Sequence, residues 1–193
     1  YRRQRQMCIR DRLLIAVIAS RVTEIERAGN GWLLFAASGT TPGQLCRAKF
    51  LALGAPLAAV CVLWGLCVPM WGALLGVPAP VPTGRIVAYT ASVCVISLVI
   101  LALQLLISLA SDNQLLAVGA GMLGVLLSMI GAMAPTWAQY LTPWTYFSLV
   151  APMTFTGSDP VYLDAPFPGA LVLAIAGAVA FTVITTRLDR KEV

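Results

Sequence analysis

The chain contains no histidine. That absence removes the general base of Ser/His and Cys/His hydrolases and the commonest nitrogen ligand of zinc. Its five cysteines (Cys8, Cys46, Cys61, Cys67 and Cys94) form no CxxC pair, so a thiolate metal site lacks its ligands as well. Three of them lie inside apolar runs and read as small buried hydrophobes. Charge is scarce: 11% of the 193 residues are charged, where an average soluble domain has about a quarter. No GxxxxGK[ST] sequence occurs, which excludes ATP binding in the P-loop manner. No carboxylate or basic side chain stands in the middle of an apolar run, which argues against a proton- or ion-coupled relay. Glu24 and Glu26 are the one close pair of acids, and they lie in a polar connection where solvation, not catalysis, is their role. No catalytic residue and no metal ligand set is expected in this chain.

What the sequence has is apolar length: 59% of its residues are hydrophobic. A hydrocarbon core about 30 Å thick takes roughly 20 apolar residues per helical crossing. Four runs meet that requirement: Phe50 to Val77, Ile86 to Ala110, Leu115 to Ala134 and Pro168 to Thr186. A shorter run, Leu13 to Ser20, reads as the end of a fifth crossing whose beginning lies upstream. The expected fold is all-α, a polytopic bundle of four complete spans plus the end of a fifth, in one membrane domain over residues 13–193. The opening twelve residues, YRRQRQMCIRDR, look like the translated remnant of a sequencing adapter and are set outside the fold; a basic cytosolic arm is the alternative.

The formal charge of +5 does not indicate a nucleic-acid partner. Five of the thirteen basic residues fall in the first twelve positions, and the remaining eight face seven acids with no basic cluster along any face. The partner that composition does indicate is the lipid bilayer. Lysine and arginine then orient the chain, because positive loops stay on the cytoplasmic side. Arg21, Arg27, Arg47 and Lys49 mark one connection and Arg187, Arg190 and Lys191 mark the tail, so both are expected inside with an even number of crossings between them. Pro78 to Arg85 and Pro135 to Phe167 are expected outside. The second of these holds Trp137, Tyr140, Trp144, Tyr146, Phe147 and Tyr162 among five prolines, and either lies on the outer interface as an aromatic belt or dips into it.

Several local signals are legible. Thr41, Pro42 and Gln44 form the N-cap, first helical position and capping-box partner of a helix start. Pro56 and Pro69 interrupt the following helix, so kinks are expected there. Gly119 to Gly124 matches GxGxxG, but inside an apolar helix that pattern has neither the strand nor the exposed helix start that a dinucleotide needs. Its expected role is packing: Ala120, Gly124, Ser128 and Ala132 recur every fourth residue and let another backbone approach. Ala170, Ala174 and Ala178 repeat the device in the last span. Gln104 is the one large uncharged polar side chain well inside a span. An unpaired amide in hydrocarbon costs several kcal/mol, so it must face protein or water, as an interhelical hydrogen bond or on a substrate path.

The connection from Arg21 to Phe50 runs from acids through glycines to an apolar patch (Trp32, Leu33, Leu34, Phe35), then a glycine-proline turn and a basic re-entry helix. An apolar patch at the ends of two membrane helices needs cover, from headgroups or from a partner protein. The order of Glu24 to Lys49 resembles the cytosolic connection between the second and third helices of ABC-2 type permeases. The Gly31-Trp32 step and the later order of helices are most similar to the permeases of lantibiotic (bacteriocin) immunity exporters. This chain departs from the family in lacking the first helix and most of the second, and in having Gly43 and Gln44 where a basic residue is usual.

The resemblance implies a bacterial, multi-pass plasma-membrane permease with a cytoplasmic C-terminus that exports an amphipathic peptide or other hydrophobic substrate. It implies a short cytosolic coupling helix near Gly31 to Ala36, with Glu26, Gly31, Trp32, Leu33, Pro42 and Lys49 at the contact with a separate ABC ATPase subunit. That partner would hold ATP and Mg, and this chain would carry no cofactor and no catalysis. A second copy or a homologous permease would complete the pore. The competing class is a membrane-embedded sensor or assembly protein that uses the same small-residue stripes and moves nothing.

Overall fold

A computed structural model describes residues 17–18, 39–75, 83–110, 114–131, 135–150, 153–156, 159–162 and 167–191. Helix α1 spans Pro42–Leu74, α2 Thr83–Ala110 and α3 Gln114–Gly131. Two single-turn helices follow, α4 Thr136–Gln139 and α5 Tyr146–Leu149. Strands β1 (Met153–Thr156) and β2 (Asp159–Tyr162) pair antiparallel, with Met153 opposite Tyr162 and Thr156 opposite Asp159. Helix α6, Phe167–Lys191, closes the described chain. Helices dominate, as composition requires, and the two-stranded ribbon is an addition to the expected all-α bundle.

Among the described residues, three helices are long and apolar enough to cross a membrane: α1, α2 from Gly84, and α6 between Pro168 and Arg190. The chain is a membrane protein on that ground. The run expected as a further full span, Leu115 to Ala134, contains a helix of 18 residues, about 27 Å at 1.5 Å per residue, which falls short of the other three. The fragment Leu13 to Ser20 and the first twelve residues lie outside the described residues, except that Val17 and Ile18 are helical.

The start of α1 follows from four residues between positions 39 and 44. Gly39 adopts φ of +72°, a left-handed conformation that a side chain would oppose, and turns the chain into the helix. Thr41 is extended (φ −81°, ψ 152°), as a residue before proline prefers, and Pro42 enters the first turn. The Thr41 hydroxyl accepts from the Gln44 N–H and the Gln44 amide oxygen accepts from the Thr41 N–H, both at 3.4 Å. The expected capping box is therefore present. Helix α1 continues through Pro56 and Pro69 as one element, so the re-entry helix and the first span are a single rod of 33 residues.

Contacts fix the directions of the helices. Along α1, Gly54 lies against Leu98 and Gly65 against Thr90, so α2 runs antiparallel to it. The Phe50 and Phe181 rings meet at 5.0 Å and Gly43 meets Asp189, so α6 is also antiparallel to α1. Helix α2 sits at the centre: half of its most apolar stretch is buried, against 6% for α1 and 17% for α6, which leaves those two to face lipid. Ile96, Ile100, Leu101, Ala102 and Leu105 of α2 form the core with Cys46 of α1, Phe181 of α6, and Tyr146 and Val150 of the segment after α3.

Candidate functional site

Three polar features stand out on this apolar frame. The first is at the end of the bundle where α1 begins and α6 stops. Asp189 of α6 lies over the first turn of α1. Its carboxylate accepts from the Thr41 hydroxyl at 2.5 Å and forms an ion pair with the Arg47 guanidinium. Arg47 also donates from Nε to the Gly43 carbonyl at 3.2 Å, which fixes the arginine along its own helix. A Cβ built at Gly43 would stand 2.7 Å from the Asp189 carboxyl carbon, so the carboxylate fits only because position 43 has no side chain. A carboxylate at a helix start also answers the unpaired N–H groups and positive pole of that helix.

Of the residues assigned to partner coupling, Pro42 is half-buried in this first turn and Lys49 is buried, with 8% of its surface exposed. Glu26, Gly31, Trp32 and Leu33 lie outside the described residues. Asp189 had no place in the sequence reading, which took the tail only as a run of positive charge. The available signal was the single acid between Arg187 and Arg190.

The second feature is Gln104, fully buried in α2. With its amide oriented to pair donor with acceptor, Nε2 donates to the Ala117 carbonyl at 3.1 Å and Oε1 accepts from the Gly121 N–H at 3.2 Å. Ala117 and Gly121 are four residues apart, the acceptor and donor of one turn of α3. The side chain therefore clips onto the backbone ladder of its neighbour. This geometry accounts for the amide by an interhelical hydrogen bond, the first of the two roles open to it.

The third feature is the segment between α3 and β1. Trp137 and Leu141 are exposed, as an interfacial belt requires. From Trp144 onward the chain turns inward: Thr145, Tyr146 and Val150 are buried, and Trp144 packs on Gly124 of α3. Gly124 lies seven residues, about 10 Å, from Gly131, which meets Thr145. The segment thus has an exposed first half and a second half buried in the bundle. Non-helical backbone buried in a bundle must satisfy its own polar groups. Here the Thr145 hydroxyl reaches the carbonyls of Gln139 (2.5 Å) and Thr142 (2.6 Å), and Ser148 donates to the Thr145 carbonyl at 2.6 Å. Burial raises the pKa of the Tyr146 phenol, and the neighbouring Tyr140, whose ring meets it edge-on at 5.6 Å, raises it further.

The small-residue stripe of α3 is partly used by this dip. Gly124 receives Trp144, and Ser128 is buried with its hydroxyl donating to the Val125 carbonyl at 3.0 Å. Ala120 is half-buried, and Ala132 lies outside the described residues. On α6, Ala170 is buried while Ala178 is exposed. Among the described residues no group of three or more Cys, Asp or Glu side chains comes close enough to hold a metal ion, and Cys46, Cys61, Cys67 and Cys94 form no disulfide. Compared with protein-family models, with curated proteins and with solved structures, the chain matches none of them.

Proposed function

We propose that this chain is the permease subunit of a bacterial ATP-driven exporter of the ABC-2 type, of the kind that serves lantibiotic immunity. It moves an amphipathic peptide or other hydrophobic molecule out of the membrane or cytosol. The observation that carries this reading is the join between α1 and α6 at Asp189. It lies immediately after the connection whose residue order resembles a coupling segment. A push delivered to that connection by a partner would reach two membrane helices at once. Rigid-body motion of packed helices is the usual structural basis of such switching.

A four-crossing arrangement is supported by parity. Thr41 and Asp189 meet at one end of the bundle, so an even number of crossings separates them. With α1, α2 and α6 as three, α3 supplies the fourth. The basic residues at this shared end support a cytoplasmic position for it and for the C-terminus. The chain itself performs no catalysis. A separate ATPase subunit holds ATP and Mg, Glu26, Gly31, Trp32, Leu33, Pro42 and Lys49 form the contact with it, and a second copy or a homologous permease completes the pore.

The test is affinity co-purification of the full-length gene product from native membranes in mild detergent. Recovery of a stoichiometric P-loop ATPase, lost in a Glu26→Ala or Trp32→Ala variant, is the expected result. Recovery of the membrane chain without any ATPase would replace this reading with the sensor or assembly class.

A further inference from the structure

We propose that Asp189 is a positioning residue that clamps the first turn of α1 to the end of α6, so that the two helix ends move as one body when the connection before Thr41 is displaced. Three independent contacts converge on one carboxylate. The Thr41 hydroxyl is the N-cap of α1, the Arg47 guanidinium lies one turn further in, and Gly43 leaves the space between them open. Removing any one contact leaves a recognisable remainder, whereas removing the carboxylate charge weakens all of them.

The clamp is built to transmit displacement. Thr41 holds both the capping box and the carboxylate, so the cap that starts α1 and the contact that ties α6 share one hydroxyl. Directly beneath, the Gly43 backbone lies against the Thr185 carbonyl, and Thr185 is fully buried with its hydroxyl donating to the Phe181 carbonyl at 2.8 Å. Phe181 in turn packs on Phe50 of α1. A polar lock thus sits on an aromatic contact between the same two helices, two turns deeper. Sliding α1 along α6 would break both, whereas moving the pair together breaks neither. The role in coupling rests on the exporter reading above; the geometry of the clamp stands without it.

Two measurements test the clamp. In membranes carrying the full-length gene product, with native cysteines replaced by serine, Thr41→Cys and Asp189→Cys, whose parent side chains meet at 2.5 Å, should be joined in high yield by a short bifunctional thiol reagent. A yield no higher than that of a Thr41→Cys, Arg190→Cys control would overturn the clamp. In the complex purified with its ATPase, Asp189→Asn should keep the complex stoichiometric but lower ATP turnover by about tenfold, the size expected for loss of a charge-assisted contact. Asp189→Glu should restore most of it. Wild-type turnover in Asp189→Asn would overturn the positioning role. If the wild-type chain recovers no ATPase, the exporter reading fails, and the cross-linking yield alone decides whether the clamp exists.

Discussion

The indole of Trp144 occupies the space that any side chain at Gly124 would need: a Cβ built there would stand 2.6 Å from the ring's Cδ2. The contact joins α3 to the segment after it at a depth of about 10 Å below the helix end. Overpacking a rigid ring against helix backbone typically costs about 1–3 kcal/mol. Gly124→Ala should therefore lower stability in detergent by that amount, read as a shift in the thermal unfolding midpoint. The same change in a Trp144→Ala background should cost much less, and an equal cost in both backgrounds would mean that the indole is not the obstacle.

Gln104 offers a chemical test of its clip onto α3. Gln104→Leu removes a donor and an acceptor together and should destabilise the bundle by about 1 kcal/mol, the usual worth of an interhelical hydrogen bond. An unfolding midpoint in Gln104→Leu equal to that of the parent would mean that the amide does not hold α3 to α2.

The hydroxyl at the N-cap of α1 gives a third test. Thr41→Ala removes a cap and should cost about 1 kcal/mol, with Thr41→Ser close to neutral because its hydroxyl serves equally. Detergent unfolding of the two variants decides this, and equal losses would mean that the methyl group, not the hydroxyl, matters.

The proposed four-crossing arrangement predicts a sidedness that labelling can read. In a cysteine-free background, Trp137→Cys should react with a membrane-impermeant maleimide in intact cells, since Trp137 is exposed on the segment assigned to the outside. Arg190→Cys should react only after permeabilisation. Labelling of both from the same side would remove α3 as a crossing helix.

The parts of this fold that were legible in the sequence are those whose cause is local. Thr41, Pro42 and Gln44 stand within four positions, and hydrogen bonding among neighbours sets the helix start. The long apolar runs became helices because hydrocarbon leaves the backbone no other way to pair. Gln104 was recognisable as needing partners, but those partners are backbone atoms of Ala117 and Gly121, and no side chain advertises them. Asp189 was overlooked because its partners lie more than 140 residues away and its neighbours in the chain are basic. The ribbon has a signal in the sequence: the dipeptide Gly157-Ser158, with glycine first, falls between the short runs Met153 to Thr156 and Asp159 to Tyr162, a pattern that favours a hairpin. Trp144 and Trp137 have the same composition signal, and only packing on Gly124 separates a buried anchor from an exposed one.

The contact between Thr41 and Asp189 joins residues 148 positions apart, so one partner is synthesised long before the other. At roughly 5–20 residues per second that gap is on the order of ten seconds. Through that interval the head of α1 is already made, while the acid that answers Thr41 and Arg47 does not yet exist. The join between α1 and α6 can therefore form only after α6 has left the ribosome, and until then Thr41 and Arg47 stand without the carboxylate that pairs them to α6.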